Sequence, residues 1–377
     1  MNAASAEAVS VSDLFCTIHD APAEDRLATA ICSLASEWPD RPAIVSNSGV
    51  NIGESTTVYH RTATDYASLA ARVADLEAKL VETRPIGIVA RTKRVESLVV
   101  IAAACGRQHV PLAVLAEDAR DLVGELSDWT IIDDSLSLQA GPGSSQARGE
   151  VESVPPRVVL ATTGKSGPPR LVDHSWDSLV AAAATVVADC RSVAWLLTHD
   201  ATRWAGIQVW MQALLTGGRL IVPANRAADT VVRALVDDEV AVLSCSPSLA
   251  KSIVSDQRVD RNLLSKASVR RVLLCGSAAN EELLDQLGKA FPTASLLQIS
   301  TTNELGEVFR VADGRPGFPA SWLGRSLPGG ARLRLSRDGR LLVQLSRDTA
   351  EVETGDVVEL KGDRCHFTSR VREAAGD

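Results

Sequence analysis

The feature that most limits the fold of this chain is an alternation. From Ala43 to Ile299, strand-length apolar runs take turns with segments whose apolar residues recur at helical spacing, and after Gly306 the helical segments stop. Residues 43–45, 86–90, 158–160, 193–198, 240–244, 271–275 and 294–299 read as strands. Between them, 26–36, 64–80, 97–104, 227–236 and 281–290 carry helical periodicity, and Ser175 and Ser246 are placed to cap two further helices. Such repetition implies largely parallel sheets covered by helices. Beyond Gly306, short β segments at 308–311, 331–335, 340–345, 357–360 and 365–368 are separated by Arg337-Asp338-Gly339 and Lys361-Gly362-Asp363 turns, which predicts a small β-barrel or twisted sheet.

The expected organisation is therefore a first α/β unit over 1–156, a second over 157–305, a small β unit over 306–370 and a tail over 371–377. The first unit includes a leader and ends in a polar Gly/Ser/Pro connection at 135–156. At 377 residues and 45% hydrophobic content, the chain can bury several cores without staples. A net charge of -8 argues against a polyanion-binding surface, so no nucleic-acid partner is expected. The 7 cysteines show no CxxC spacing, which indicates neither a disulfide framework nor a structural zinc site and fits a reducing cytoplasm. No basic-then-apolar leader and no apolar run near about 18 residues are present, so a signal peptide and a membrane partner are not expected.

The densest chemistry lies at 157–176, RVVLATTGKSGPPRLVDHSW. After the apolar run, Thr162, Thr163, Gly164, Ser166 and Gly167 supply hydroxyls and glycines of the kind that wrap an anion with backbone N–H groups. Gly164-Lys165-Ser166 is not a Walker A ending. Val159 occupies the position of that motif's first glycine, and Pro168-Pro169 opposes a helix starting at the lysine.

The loop resembles instead the phosphate loop of the adenylate-forming superfamily of acyl-CoA synthetases, acyl-AMP ligases and adenylation domains. Its pattern is approximately [ST][ST]G[ST]TGxPKGV followed by His, and Thr162, Thr163, Gly164, Ser166, Gly167, Pro169, Val172 and His174 match. Lys165 stands where Ser or Thr is usual, Arg170 replaces the Lys, and Leu171 replaces a Gly. The likeness continues in order from Trp38 to Arg370. HDATRWAG puts Trp204 at the family's aromatic position near the carboxylate pocket, where it is equally well read as a packed core side chain. Gly276-Ser277-Ala278 resembles the GGxxL segment beside adenine, with Ser277 for the second glycine. Residues 300–304 resemble YGxTE: Glu304 matches, the Tyr and Gly are absent, and Asn303 replaces the Thr. Thr354-Gly355-Asp356 matches TGD, and Ser369-Arg370 corresponds to the GR before the hinge.

The resemblance implies the family's large N-terminal domain: an α/β fold of two helix-covered, mostly parallel sheets plus a small C-terminal β-barrel. On this resemblance the family's lid domain is expected to be missing after Arg370, by truncation, by loss, or because a separate lid-domain polypeptide supplies it. The implied activity is that of an AMP-forming acid ligase, using ATP and Mg²⁺ to turn a small carboxylic acid into an acyl-AMP, with CoA, a carrier protein or an amine as acceptor. By the same resemblance, Thr162, Thr163, Gly164, Ser166 and Gly167 hold the β- and γ-phosphates, and Gly276, Ser277, Ala278, Thr302 and Asn303 lie around the nucleotide. Asp356 binds the ribose hydroxyls, Arg370 the ribose or α-phosphate, and Glu304 the metal. Lys165 and Arg170 offset phosphate charge, Lys165 partly standing in for the lid lysine, and His174 has a minor positioning role. Trp204, Ala205 and Thr301 border the acid pocket. A second class of function stays open: a non-catalytic relative that binds a nucleotide or acyl-adenylate, or a scaffold for a partner lid.

Overall fold

The computed structural model describes residues 11–51, 57–141, 143, 156–162, 169–184, 190–302, 304–328, 330–346 and 349–370. Helices form where the periodicity places them, and polar residues start several. Asp65 accepts from Ser68 N at 2.7 Å at the head of Tyr66–Thr83, Ser246 from Leu249 N at 3.2 Å at the head of Pro247–Ser255, and Asn280 from Leu283 N at 3.0 Å at the head of Glu281–Ala290. Each side chain satisfies a donor that the first turn leaves without an intrahelical acceptor.

The strands form three sheets. In the largest, of eight strands, Gly306–Val311, Ser295–Thr302, Arg271–Cys275, Val240–Cys245, Ala194–Leu197, Arg219–Val222, Pro42–Asn51 and Thr57–Asp65 lie side by side. The six-stranded sheet runs Leu138–Gln139, Thr130–Ile132, Ile88–Ala90, Leu112–Val114, Arg157–Ala161, Leu171–Ser175. Inner pairs of both are parallel, and both edges of each close with an antiparallel pair. Helices Arg26–Glu37, Tyr66–Thr83, Val95–Arg107 and Trp204–Leu215 share one buried apolar cluster with strands of both sheets, so the sheets clasp a common helical layer. A second cluster packs Ala228–Asp237, Pro247–Ser255 and Glu281–Ala290 onto the other face of the large sheet.

The expected division at 156/157 does not describe these sheets. Pro42–Asn51 and Thr57–Asp65 join the large sheet through the parallel register Ile44↔Leu220, while Arg157–Ala161 and Leu171–Ser175 complete the smaller one through Leu112↔Val158. Backbone pairing chooses the neighbour, and an apolar run does not encode it. Thr57–Asp65 and Leu171–Ser175 are strands that periodicity missed, because edge strands of mixed polarity carry no continuous apolar signal.

The C-terminal unit is a five-stranded antiparallel sheet in the order Phe318–Pro319, Arg364–Arg370, Val352–Lys361, Arg340–Gln344, Arg332–Leu335. Among the described residues its outer strands do not pair with one another, so of the two expected forms, barrel or twisted sheet, it is the sheet; a two-residue end strand gives too short a ladder to close a barrel. Gly306–Val311 joins the two parts: it pairs with the large sheet while Val308, Phe309 and Val311 pack among Phe318, Leu333, Leu341 and Val343 of the small one. Gly339 and Gly362 turn with φ of 74° and 59°, as the turn signals predict. No helix among the described residues is long and apolar enough to cross a membrane.

Candidate active site

The loop after Ala161 connects antiparallel strands, with Val158 opposite His174 and Leu160 opposite Val172. A Walker loop leads from a strand into a helix, so the pairing agrees with setting that motif aside. Thr163, Gly164, Lys165, Ser166 and Gly167 lie outside the described residues, as does Asn303. The base of the loop is held twice: Thr162 N donates to Arg170 O at 2.9 Å, and Arg170 N donates to Thr162 Oγ1 at 3.0 Å. Arg203, which precedes helix Trp204–Leu215, donates from Nη1 to Ala161 O at 2.8 Å and to Thr162 O at 3.0 Å. This clamp carries no sequence signal, since a lone Arg before a helix is otherwise an ordinary surface residue.

His174 is buried, with its ring centroid 4.8 Å from that of Trp204 at 41°. On another side of the indole, a Cβ built on Gly306 would come within 2.5 Å of Trp204 Cζ2. Trp204 is thus packed in the main core, the second of the two readings its position allowed, and Ala205 beside it is half-buried.

A cavity of about 310 Å³ opens between the strand ends of the large sheet and the C-terminal sheet. Gly276, Ser277, Ala278, Thr301 and Asp356, five of the residues singled out in the sequence, line it together. Trp204 and Ala205 are not among its walls. Gly276 turns out of strand Arg271–Cys275 with φ 98°, a left-handed conformation that needs glycine, while Ser277 has no positive φ. Asp356 projects from a bulge: Leu342 pairs with Glu353 and Arg340 with Val357, so Thr354, Gly355 and Asp356 together face a single partner residue. Gly355 has φ 73°, and Thr354 Oγ1 donates to Leu341 O at 3.2 Å. Across the next ladder Asp356 lies opposite Arg370. Ser300, at the Tyr position of the YGxTE resemblance, also lines the cavity, and sequence reading missed Gln298, Phe309, Phe367 and Thr368 on the other walls. They come from strands whose alternation predicts two faces, without saying which face meets a ligand.

Thr302 is buried, and its Oγ1 accepts from Leu305 N at 2.9 Å, fixing the turn that carries Glu304 instead of lining the cavity. Glu304 faces Arg170. Arg170 Nη2 lies 3.3 Å from Glu304 Oε1, bringing together two residues assigned separately to phosphate charge and to metal.

A second cavity, of about 360 Å³, lies at strand ends of both α/β sheets, bordered by Arg91, Lys93, Glu117, His199, Asp200 and Arg226. His199 shares a hydrogen bond of 3.2 Å with Ser244 Oγ, and burial, aided by the Arg226 charge, pushes its imidazole down to about 4.

The profile of the AMP-binding enzyme family matches residues 55–338, well over half of the chain. The chain belongs to the AMP-binding enzyme family. No curated protein matches this AMP-binding chain in sequence. Among solved structures, the O-succinylbenzoate coenzyme A synthetase of Bacillus subtilis in complex with ATP and magnesium ion is similar at TM-score 0.63 and 15% identity, over 90% of this chain and 79% of the other. An artificially fused adenylation and carrier di-domain from Klebsiella oxytoca gives 0.66 and 16%, over 92% and 79%. The N-terminal subdomain of the Klebsiella oxytoca protein NpsA, in complex with anthranilyl-AMSN, gives 0.65 and 16%, over 91% and 99%. At these identities the likeness concerns the fold, which is that of the N-terminal domain of adenylate-forming enzymes.

Proposed function

We propose that this AMP-binding domain activates a small carboxylic acid with ATP, forming an acyl-AMP and pyrophosphate. The observation that carries the reading is the convergence of Gly276, Ser277, Ala278, Thr301 and Asp356 on one cavity, from segments as far apart in sequence as strands Arg271–Cys275 and Val352–Lys361. Its size is at the lower end of the range for small-molecule sites. Family membership supplies the chemical class.

In this reading the acid's carboxylate oxygen attacks the α-phosphorus, a new P–O bond forms, and the bond to the β-phosphate oxygen breaks to release pyrophosphate. Asp356 accepts hydrogen bonds from the ribose hydroxyls, and the exposed backbone at Gly276–Ala278 borders the base. Loop residues 162–167 hold the β- and γ-phosphates, with Arg170 and Lys165 offsetting their charge. The protein's contribution is positioning and charge stabilisation. Arg370, whose backbone pairs opposite Asp356 on the neighbouring strand, is assigned to the ribose or α-phosphate from the family resemblance alone.

Glu304 fits a magnesium role. Among the described residues no three His, Cys, Asp or Glu side chains group around a metal position, but Mg²⁺ in such sites is held by one or two carboxylates with phosphate oxygens and water. When bound, the ion neutralises charge on the polyphosphate. The acyl acceptor, whether CoA, a carrier protein or an amine, belongs to a later step.

The test is carboxylate-dependent exchange of labelled pyrophosphate into ATP across a panel of acids. Exchange with at least one acid is expected; saturable ATP or AMP binding with no exchange would favour a nucleotide-binding relative without catalysis. Ser300 on the cavity wall, where the family carries Tyr, is the observation behind that second reading.

A further inference from the structure

Glu304 is the carboxylate to which the proposed reaction assigns Mg²⁺, yet in this chain a guanidinium already answers its charge, with Arg170 Nη2 at 3.3 Å from Oε1. We propose that Arg170 and a divalent cation are alternative partners of Glu304, and that the nucleotide's polyphosphate decides between them by drawing Arg170 away. The nucleotide's part in this exchange rests on the function proposed above; the competition for Glu304 does not.

The geometry of both residues suits an exchange. Each backbone is fixed: Arg170 is bonded through its N–H and C=O to Thr162, and the Glu304 turn is held by the Leu305 N to Thr302 Oγ1 bond. Neither side chain is buried, with Arg170 69% and Glu304 30% exposed. The recorded contact uses one nitrogen and one oxygen, and an exposed pair of that kind is surrendered readily. A triphosphate offers a guanidinium more, because parallel N–H groups match two phosphate oxygens at once. Rotation about side-chain bonds is enough to carry Arg170 from carboxylate to phosphate. Glu304 is then left charged beside the same polyphosphate, the arrangement in which a hard cation with oxygen ligands is favoured. Cation and nucleotide thereby assist each other, and linkage requires the assistance to be reciprocal.

The experiment titrates Mn²⁺ alone, without nucleotide, into the full chain and follows the free ion by electron paramagnetic resonance. Arg170→Gln is expected to bind Mn²⁺ about two- to fivefold more tightly than the parent, as removal of one exposed competing charge would give. Arg170→Gln combined with Glu304→Gln is expected to lose that binding. Equal affinity in the parent and Arg170→Gln, or binding that survives in the double variant, overturns the competition. A second arm measures ATP and AMP binding in EDTA, where Arg170→Gln should weaken ATP at least fivefold and leave AMP unchanged. Equal loss for both nucleotides overturns the polyphosphate's role. A parent chain that binds neither nucleotide overturns the reading of the reaction itself, while the Mn²⁺ series still decides the competition.

Discussion

Arg203 Nη1 donates to the carbonyl oxygen of Ala161 at 2.8 Å, a bond that reaches from the start of a helix connecting two strands of the large sheet to the last residue of a strand in the smaller one. The same nitrogen reaches Thr162 O at 3.0 Å. Two successive carbonyls at the foot of the loop are therefore held by one charged donor. Arg203→Gln is expected to cost about 1–3 kcal/mol of unfolding free energy, the usual range for losing hydrogen bonds to a charged group at partly buried acceptors. Denaturant melting measures this. Pyrophosphate exchange should show a raised KM for ATP with the KM for the acid little changed, whereas a fold-only effect would move neither.

Gly306 and Trp204 make the second case. A methyl group at Gly306 would sit 2.5 Å from Cζ2 and 2.7 Å from Cη2 of the indole, and the backbone there has φ 71°. Gly306→Ala is expected to destabilise by about 2–4 kcal/mol, combining overpacking with left-handed strain. Trp204→Leu should relieve the collision and leave the strain, so the double variant should be more stable than the sum of the singles predicts. Thermal unfolding of the four proteins in a double-mutant cycle gives the coupling.

Asp356 is placed by a bulge and borders the cavity, so its carboxylate can change without disturbing a core. Asp356→Asn keeps the shape and removes the charge. We expect AMP affinity to fall about tenfold, of the order of one charge-assisted hydrogen bond, with unfolding shifted by no more than about 1.5 kcal/mol. Calorimetric titration with AMP checks the first quantity and denaturant melting the second. Unchanged AMP affinity would remove Asp356 from the nucleotide site.

His199 gives a pH prediction with a definite sign. Its imidazole is depressed in the folded chain to about 4 from 6.5, by burial first and by Arg226 second. Between those values the unfolded chain binds the proton and the folded one does not, so stability rises with pH there. The contribution is present in full above about 6.5 and is lost as pH falls toward 4, to an extent of no more than about 3 kcal/mol. His199→Gln, which can still bond Ser244 Oγ, should flatten the stability profile across that window. A slope unchanged by the substitution would mean that other groups set it.

The strands and helices were legible wherever burial imposes a period. Arg271–Cys275 and Glu281–Ala290 form at the predicted bounds, because a strand buried on both faces and a helix with one apolar stripe each leave a pattern in the sequence. Glycines at turns were legible for a related reason: Gly217, with φ 65°, ends its helix in a conformation other residues rarely adopt. Motif order announced the family before any geometry, and five of the residues it marked meet at one cavity.

What the sequence by itself determined was local: which segments are strand, helix or turn, and which residues are candidates for ligand contacts. Only the tertiary structure decided partners. It placed Pro42–Asn51 beside Arg219–Val222, set Arg203 beneath the loop, buried Trp204 against Gly306 and brought Arg170 to Glu304 across 134 positions. Periodicity reports how one segment meets solvent and core. Which distant segment lies next to it follows from strand register and from side chains filling a shared space, quantities that exist only after the chain has closed on itself.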